Sequence, residues 1–119
     1  MAPACEEIGL FGPALCDVAQ LAATGICAPE SLDPRLQKFI TSHVGTVRVL
    51  LRRAELAGAK GRVTRASRLA KAAAGRLSAI SRKVDRAATE ARHRPAKISA
   101  TCRRTLDQML GVAQREISG

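Results

Sequence analysis

The chain has 119 residues, a formal net charge of +10 and 46% hydrophobic residues; this suits one domain with its own core and excludes disorder along the whole length. Trp and Tyr are absent and Phe11 and Phe39 are the only aromatics, so the core must be aliphatic, which suits packed helices and disfavours a β-sandwich. No apolar run approaches the roughly 20 residues that cross a bilayer, and the N-terminus lacks the basic stretch and apolar run of a signal peptide.

Gly9, Gly12-Pro13, Gly25 and Pro29 divide residues 1–32 into short pieces. Gly12-Pro13 starts a short helix over about 13–24, carrying Leu15, Cys16, Val18, Ala19 and Ala22 and ended by Gly25. It is expected to lie across one end or side of the helices that follow. Asp33-Pro34 is a helix start, with Asp as N-cap and Pro at the first helical position. Leu36, Ile40, Val44, Val47, Leu50/Leu51 and Ala54 then recur at helical spacing over 33–57. Gly45 interrupts this helix at a position that would admit a close neighbour, and the stretch Gly58 to Gly61 stops it.

A second long helix is predicted over 62–93. Its stripe is Val63, Ala66, Leu69/Ala70, Ala73, Leu77, Ile80, Val84, Ala87 and Ala91, and Pro95 ends it. The third, over 99–117, has Ser99 as N-cap and Cys102, Leu106, Met109/Leu110, Ala113 and Ile117 on its apolar face. Short connections favour antiparallel neighbours. The fold class is therefore all-α: an antiparallel three-helix bundle with the short N-terminal helix packed on it. Residues 1–119 read as a single helical domain, with 1–32 an acidic, irregular, cysteine-bearing segment and 33–119 the basic bundle.

Charge is divided along the chain. Residues 1–34 hold Glu6, Glu7, Asp17, Glu30 and Asp33 and no Lys or Arg, while all 20 Lys and Arg lie in 35–119. The density peaks over 60–94, where Arg65, Arg68, Arg76, Arg82, Lys83 and Arg86 fall mainly outside the apolar stripe. They form a candidate anion-binding face. The alternative is a solvated helix surface, with the acidic segment folded back over part of it.

Cys5, Cys16 and Cys27 are evenly spaced, and Cys102 is distant. No C-x-x-C pair or adjoining His suggests zinc or haem, so no metal or cofactor is expected. Two disulfides imply an oxidising compartment; free core thiols are the other reading. In an up-down-up bundle the starts of the first and third long helices share one end. Cys27–Cys102 with Cys5–Cys16 is then geometrically reasonable, beside Cys5–Cys102 with Cys16–Cys27, or Cys16–Cys102 with Cys5–Cys27. Phosphate-loop, nucleophile-elbow and H-E-x-x-H motifs are all absent. His43 reads as a core-edge residue and His93 as an exposed helix end, so an enzyme is not expected.

The Leu-Asp-Pro-x-Leu-Gln-Lys start at Leu32 to Lys38, the Leu-Leu-Arg-Arg-Ala stretch from Leu50 to Ala54, the Ala/Arg-rich helix from Arg62 to Arg92 and Lys-Ile-Ser-Ala-x-Cys from Lys97 to Cys102 form a pattern over 27–119. It resembles cysteine-stapled helical segments of large secreted or surface proteins of bacteria. That resemblance implies an extracytoplasmic location and a Cys27–Cys102 bond, and transfers no activity. The expected function is a non-enzymatic structural or protein-interaction module of a secreted or cell-surface protein, with a protein partner or neighbouring domains. The alternative is nucleic-acid binding without sequence specificity through the face at 60–94. The scarcity of aromatics argues against single-strand recognition, and the helix lengths do not match a helix-turn-helix.

Overall fold

The computed structural model describes residues 9–23, 26–28, 30, 32–89 and 95–118. Four helices follow one another: α1 (Gly12–Leu21), α2 (Pro34–Ala59), α3 (Val63–Ala88) and α4 (Ala100–Ser118). They pack as a helical bundle, as the aliphatic stripes require.

α2 begins as its sequence dictates: Asp33 Oδ1 accepts from the Arg35 N–H at 2.8 Å, and Pro34 occupies the first turn. It ends in a Schellman motif, with Arg62 N–H on Ala57 O at 2.8 Å and Gly61 N–H on Gly58 O at 3.0 Å. Gly61 takes φ +75°, the left-handed conformation that the motif demands. Gly45 does not receive a neighbouring helix. A Cβ there would meet no atom within 4 Å, because Gly45 lies on the solvent side of α2.

α3 stops at Ala88, short of the predicted end near residue 93. Thr89 turns extended at φ −91° and ψ 126°. Its hydroxyl donates to Asp85 O at 2.7 Å, and the Lys97 N–H takes Ala87 O at 2.7 Å. The returning chain thus satisfies carbonyls that a further turn would have used. Ala91 and His93 lie outside the described residues. The α3 stripe is also shorter than its pattern: Ala73, Leu77, Ile80 and Val84 are buried, whereas Val63 is 74% exposed. α4 is about two turns shorter than α3, so it does not reach the tip of the α2–α3 hairpin.

α3 packs between α2 and α4, and α1 lies between α4 and α2 on the opposite side. The start of α1 meets α2 at Glu55, and its end meets α2 at Gln37, whose Nε2 reaches Ala22 O at 3.4 Å. α1 therefore runs antiparallel to α2 and supplies a fourth wall, with Leu15, Val18 and Leu21 fully buried. It ends at Leu21, before the predicted 24, as the Ala22 and Ala23 N–H groups close on Ala19 O and Gln20 O. Below α1, Cys27 and Cys102 form a disulfide with Cα atoms 5.2 Å apart, joining the starts of α2 and α4. No described cysteine is a free thiol, Cys16 included; Cys5 lies outside the described residues.

Two helix starts are capped from a distance. Glu30 accepts from the Ser99 N–H at 2.9 Å and from the Ser99 hydroxyl, while Ser99 Oγ accepts from the Cys102 N–H at 3.0 Å. This is a capping box whose acid comes from before α2. Glu55 does the same for α1, accepting from the Phe11 N–H at 2.9 Å. A Cβ at Gly9 would overlap that carboxylate, so the chain passes there only as glycine.

A cationic face across α2 and α3

Helical spacing places Arg65, Arg68, Arg76, Lys83 and Arg86 in one row roughly 30 Å long. Arg82 lies at the edge of this row, about 100° around the helix from Lys83 but about 40° from Arg68 and Arg86. The five arginines of the sequence-derived set are exposed and Lys83 is half-buried. None of the six is ion-paired among the described residues. The row flanks α2. Lys83 Nζ sits 5.4 Å from the Phe39 ring centroid, Arg65 shares a recess with Arg53 and Lys60, and Lys83 and Arg86 share a pocket with Arg35. α2 thus adds Arg35, Lys38, Arg53 and Lys60 to the cations of α3, a set the sequence reading did not assemble. The face joins two helices whose spacing is set only by packing.

The described acids lie elsewhere. Glu30 and Glu55 cap α4 and α1. Asp85 holds Arg103 Nε at 3.0 Å, with Asp107 at 3.5 Å. Burial pushes the Asp107 carboxyl up, Asp85 adds to this, and Arg103 opposes it. Asp17 and Glu116 meet at the α1–α4 seam. Asp33 reaches only the lower rim of the cationic face, where Lys97 Nζ lies 3.7 Å away. The Arg35 N–H, aided by Lys97 and opposed by partial burial, holds the Asp33 carboxyl below its ordinary value. The described acids of the N-terminal segment therefore do not fold back over the arginine row. Glu6 and Glu7 lie outside the described residues.

The Glu116 carboxyl is pushed up to about 7, first by a hydrogen bond with Asp17, then by burial and by the Asp17 charge. Its Oε1 is buried without a partner in the ionised form; protonated, the group donates to Asp17. The native state then keeps a proton that an unfolded Glu releases near its ordinary 4.5, so stability falls as pH rises between these values. We expect the melting temperature to drop from pH 5 to pH 8. Glu116→Gln should flatten that drop and melt above the parent at pH 8; an unchanged pH profile in the variant would refute this coupling.

Phe39 and His43 stack with ring centroids 4.0 Å apart, and His43 Nδ1 lies 3.1 Å from Phe39 O. With Arg35, Lys38 and Ser42 they line a shallow cleft beside the face. His43 is half-buried at the core edge. Among the described residues no cluster of His, Cys, Asp or Glu could hold a metal ion, and no helix is long and apolar enough to cross a membrane. No family model, curated protein or solved structure matches the chain.

Proposed function

We propose that the protein is a non-enzymatic, disulfide-stapled helical module that works outside the reducing cytoplasm and docks an acidic protein surface or neighbouring domain. The observation that carries this reading is the cationic α2–α3 face, clear of described acids except for Asp33 at its rim, on a bundle whose α2 and α4 starts are crosslinked. Unpaired arginines on a rigid helix pair present preorganised forks to carboxylates. A persistent structural disulfide suits an oxidising compartment.

A second reading has its own observation: the row from Arg65 to Arg86 is straight, and the described acids leave it uncovered. A duplex would supply phosphates along such a row without sequence choice. One experiment separates the two. Duplex DNA and RNA are titrated at physiological salt against the native protein and against a variant with Arg65, Arg68, Arg76 and Arg86 changed to Gln. The first reading expects duplex binding no tighter than about 10⁻⁴–10⁻⁶ M. Submicromolar binding that weakens steeply with salt and vanishes in the variant would establish the second. Thiol titration of freshly isolated, denatured, unreduced protein tests the compartment: no free thiol is expected, and free thiols at Cys27 and Cys102 would remove the extracytoplasmic placement.

A further inference from the structure

The lower end of the cationic face is concave. The first turn of α2 contributes Arg35 and Leu36, the last turns of α3 contribute Lys83 and Arg86, and Lys97 lies on the returning chain. Together they enclose a pocket of about 490 Å³. We propose that this pocket is a binding site for a single tetrahedral dianion, the phosphate group of a monoester.

Charge is the first argument. Arg35, Lys83 and Arg86 are not ion-paired among the described residues. Among the described residues the one carboxylate on the rim, Asp33, is already engaged: Oδ1 accepts from the Arg35 N–H and Oδ2 lies 3.7 Å from Lys97. Asp33 offsets one lysine at most, so an excess of positive charge faces the pocket. A dianion balances most of it, which a carboxylate does not.

Donor geometry is the second. Arg35 and Arg86 carry planar forks that each match two oxygens of a tetrahedral anion. Lys83 is a point charge whose ammonium is already placed by the Phe39 ring, 5.4 Å from its centroid. Leu36 and Ala87 form an apolar flank, which strengthens each charge contact by lowering the local dielectric.

Preorganisation is the third. The walls come from separate segments but are tied together: the Lys97 N–H bonds Ala87 O at 2.7 Å, Glu30 caps Ser99, and the Cys27–Cys102 disulfide joins the segments beyond. The backbone segments that carry the cations are therefore already in place when the anion arrives, and Lys83 is held over Phe39. The pocket is larger than one phosphate, and the cleft with Phe39 and His43 adjoins it through Arg35. The organic part of an ester has a place to lie.

The proposal goes beyond the docking reading, since one small dianion at one end requires no macromolecular partner. It is tested by calorimetric titration of phenyl phosphate, inorganic phosphate and sulfate into the full chain. Two charge-matched variants are compared: Lys83→Gln/Arg86→Gln at the pocket, and Arg65→Gln/Arg68→Gln at the far end of the same row. Circular dichroism checks that both keep their helices. Saturable submillimolar binding is expected. The pocket variant should weaken it by about tenfold or more, a loss of about 1.4 kcal/mol, and the distal variant by less than about twofold. Phenyl phosphate bound more tightly than sulfate upholds a phosphate-ester site; sulfate bound more tightly overturns it. Absence of saturable binding, or equal weakening by the two variants, overturns it. Phosphate binding retained in the distal variant, whatever the duplex result, keeps this outcome separate from that of the docking reading.

Discussion

Ile80→Asp is expected to leave the chain without a cooperative unfolding transition. Ile80 is fully buried midway along α3, between Leu77 and Val84, which are also fully buried. α3 offers few large side chains to the core; apart from these three, its buried contribution is Ala73. An Asp at position 80 would be walled in by aliphatic groups from neighbouring helices, and among the described residues no buried polar residue is present to receive it. An unpaired buried carboxylate costs several kcal/mol even if it takes up a proton. Domains of this size are stable by only about 5–15 kcal/mol in total. The milder Leu77→Ala removes the same kind of contact without adding charge, and should destabilise by about 2–5 kcal/mol while remaining folded. Thermal and urea melts followed by circular dichroism measure both. An Ile80→Asp protein that melts like the parent would mean that this stripe faces solvent, and would move the interaction surface onto it.

Removing the Cys27–Cys102 bond should have the next largest effect. The two cysteines are 75 residues apart, so the crosslink closes most of the chain into one loop and restricts the unfolded state heavily. On the chain-entropy account this is worth roughly 4 kcal/mol, less whatever the native bundle loses in fitting the bond. The double variant Cys27→Ala/Cys102→Ala should therefore melt lower by on the order of 15 °C for a chain of this length. Single replacements are less informative because they free a thiol. The fall should equal that produced in the parent by reducing this bond alone. The bond also ties the segment carrying Glu30 to the start of α4, so backbone exchange should quicken first around Ser99 to Arg103, where that cap is lost. A double variant with the parent's melting temperature would show that packing alone holds the lower end.

Local chemistry carried much of this fold. Asp33-Pro34 starts α2 and the glycines around 58–61 end it because capping and left-handed turns are decided within a few residues. The apolar spacings of α2 and α4 matched the buried faces because a helix can only present one side to a core. The Cys27–Cys102 bond was one of three pairings open to the sequence; antiparallel succession, which puts the starts of α2 and α4 at one end, made it reasonable, and the structure decided it. The tertiary structure decided what depends on contacts between distant residues. Glu30 caps Ser99 from 69 positions away, and Glu55 caps α1 from 44; neither leaves a local signal. α1 became the wall between α4 and α2 because a buried space lay open there. α3 ended at Ala88 because Lys97 returned to take a carbonyl, although the spacing of Ala87 and Ala91 favoured another turn. The arginine row was legible as a helical face, but its pairing with Arg35, Lys38, Arg53 and Lys60 was not. That pairing depends on the rotation of α2 against α3, which is set by how Leu36, Ile40, Val44 and Val47 meet Leu77, Ile80 and Val84 in the core. Charge in the sequence records how many cations there are; only packing determines which of them share a surface.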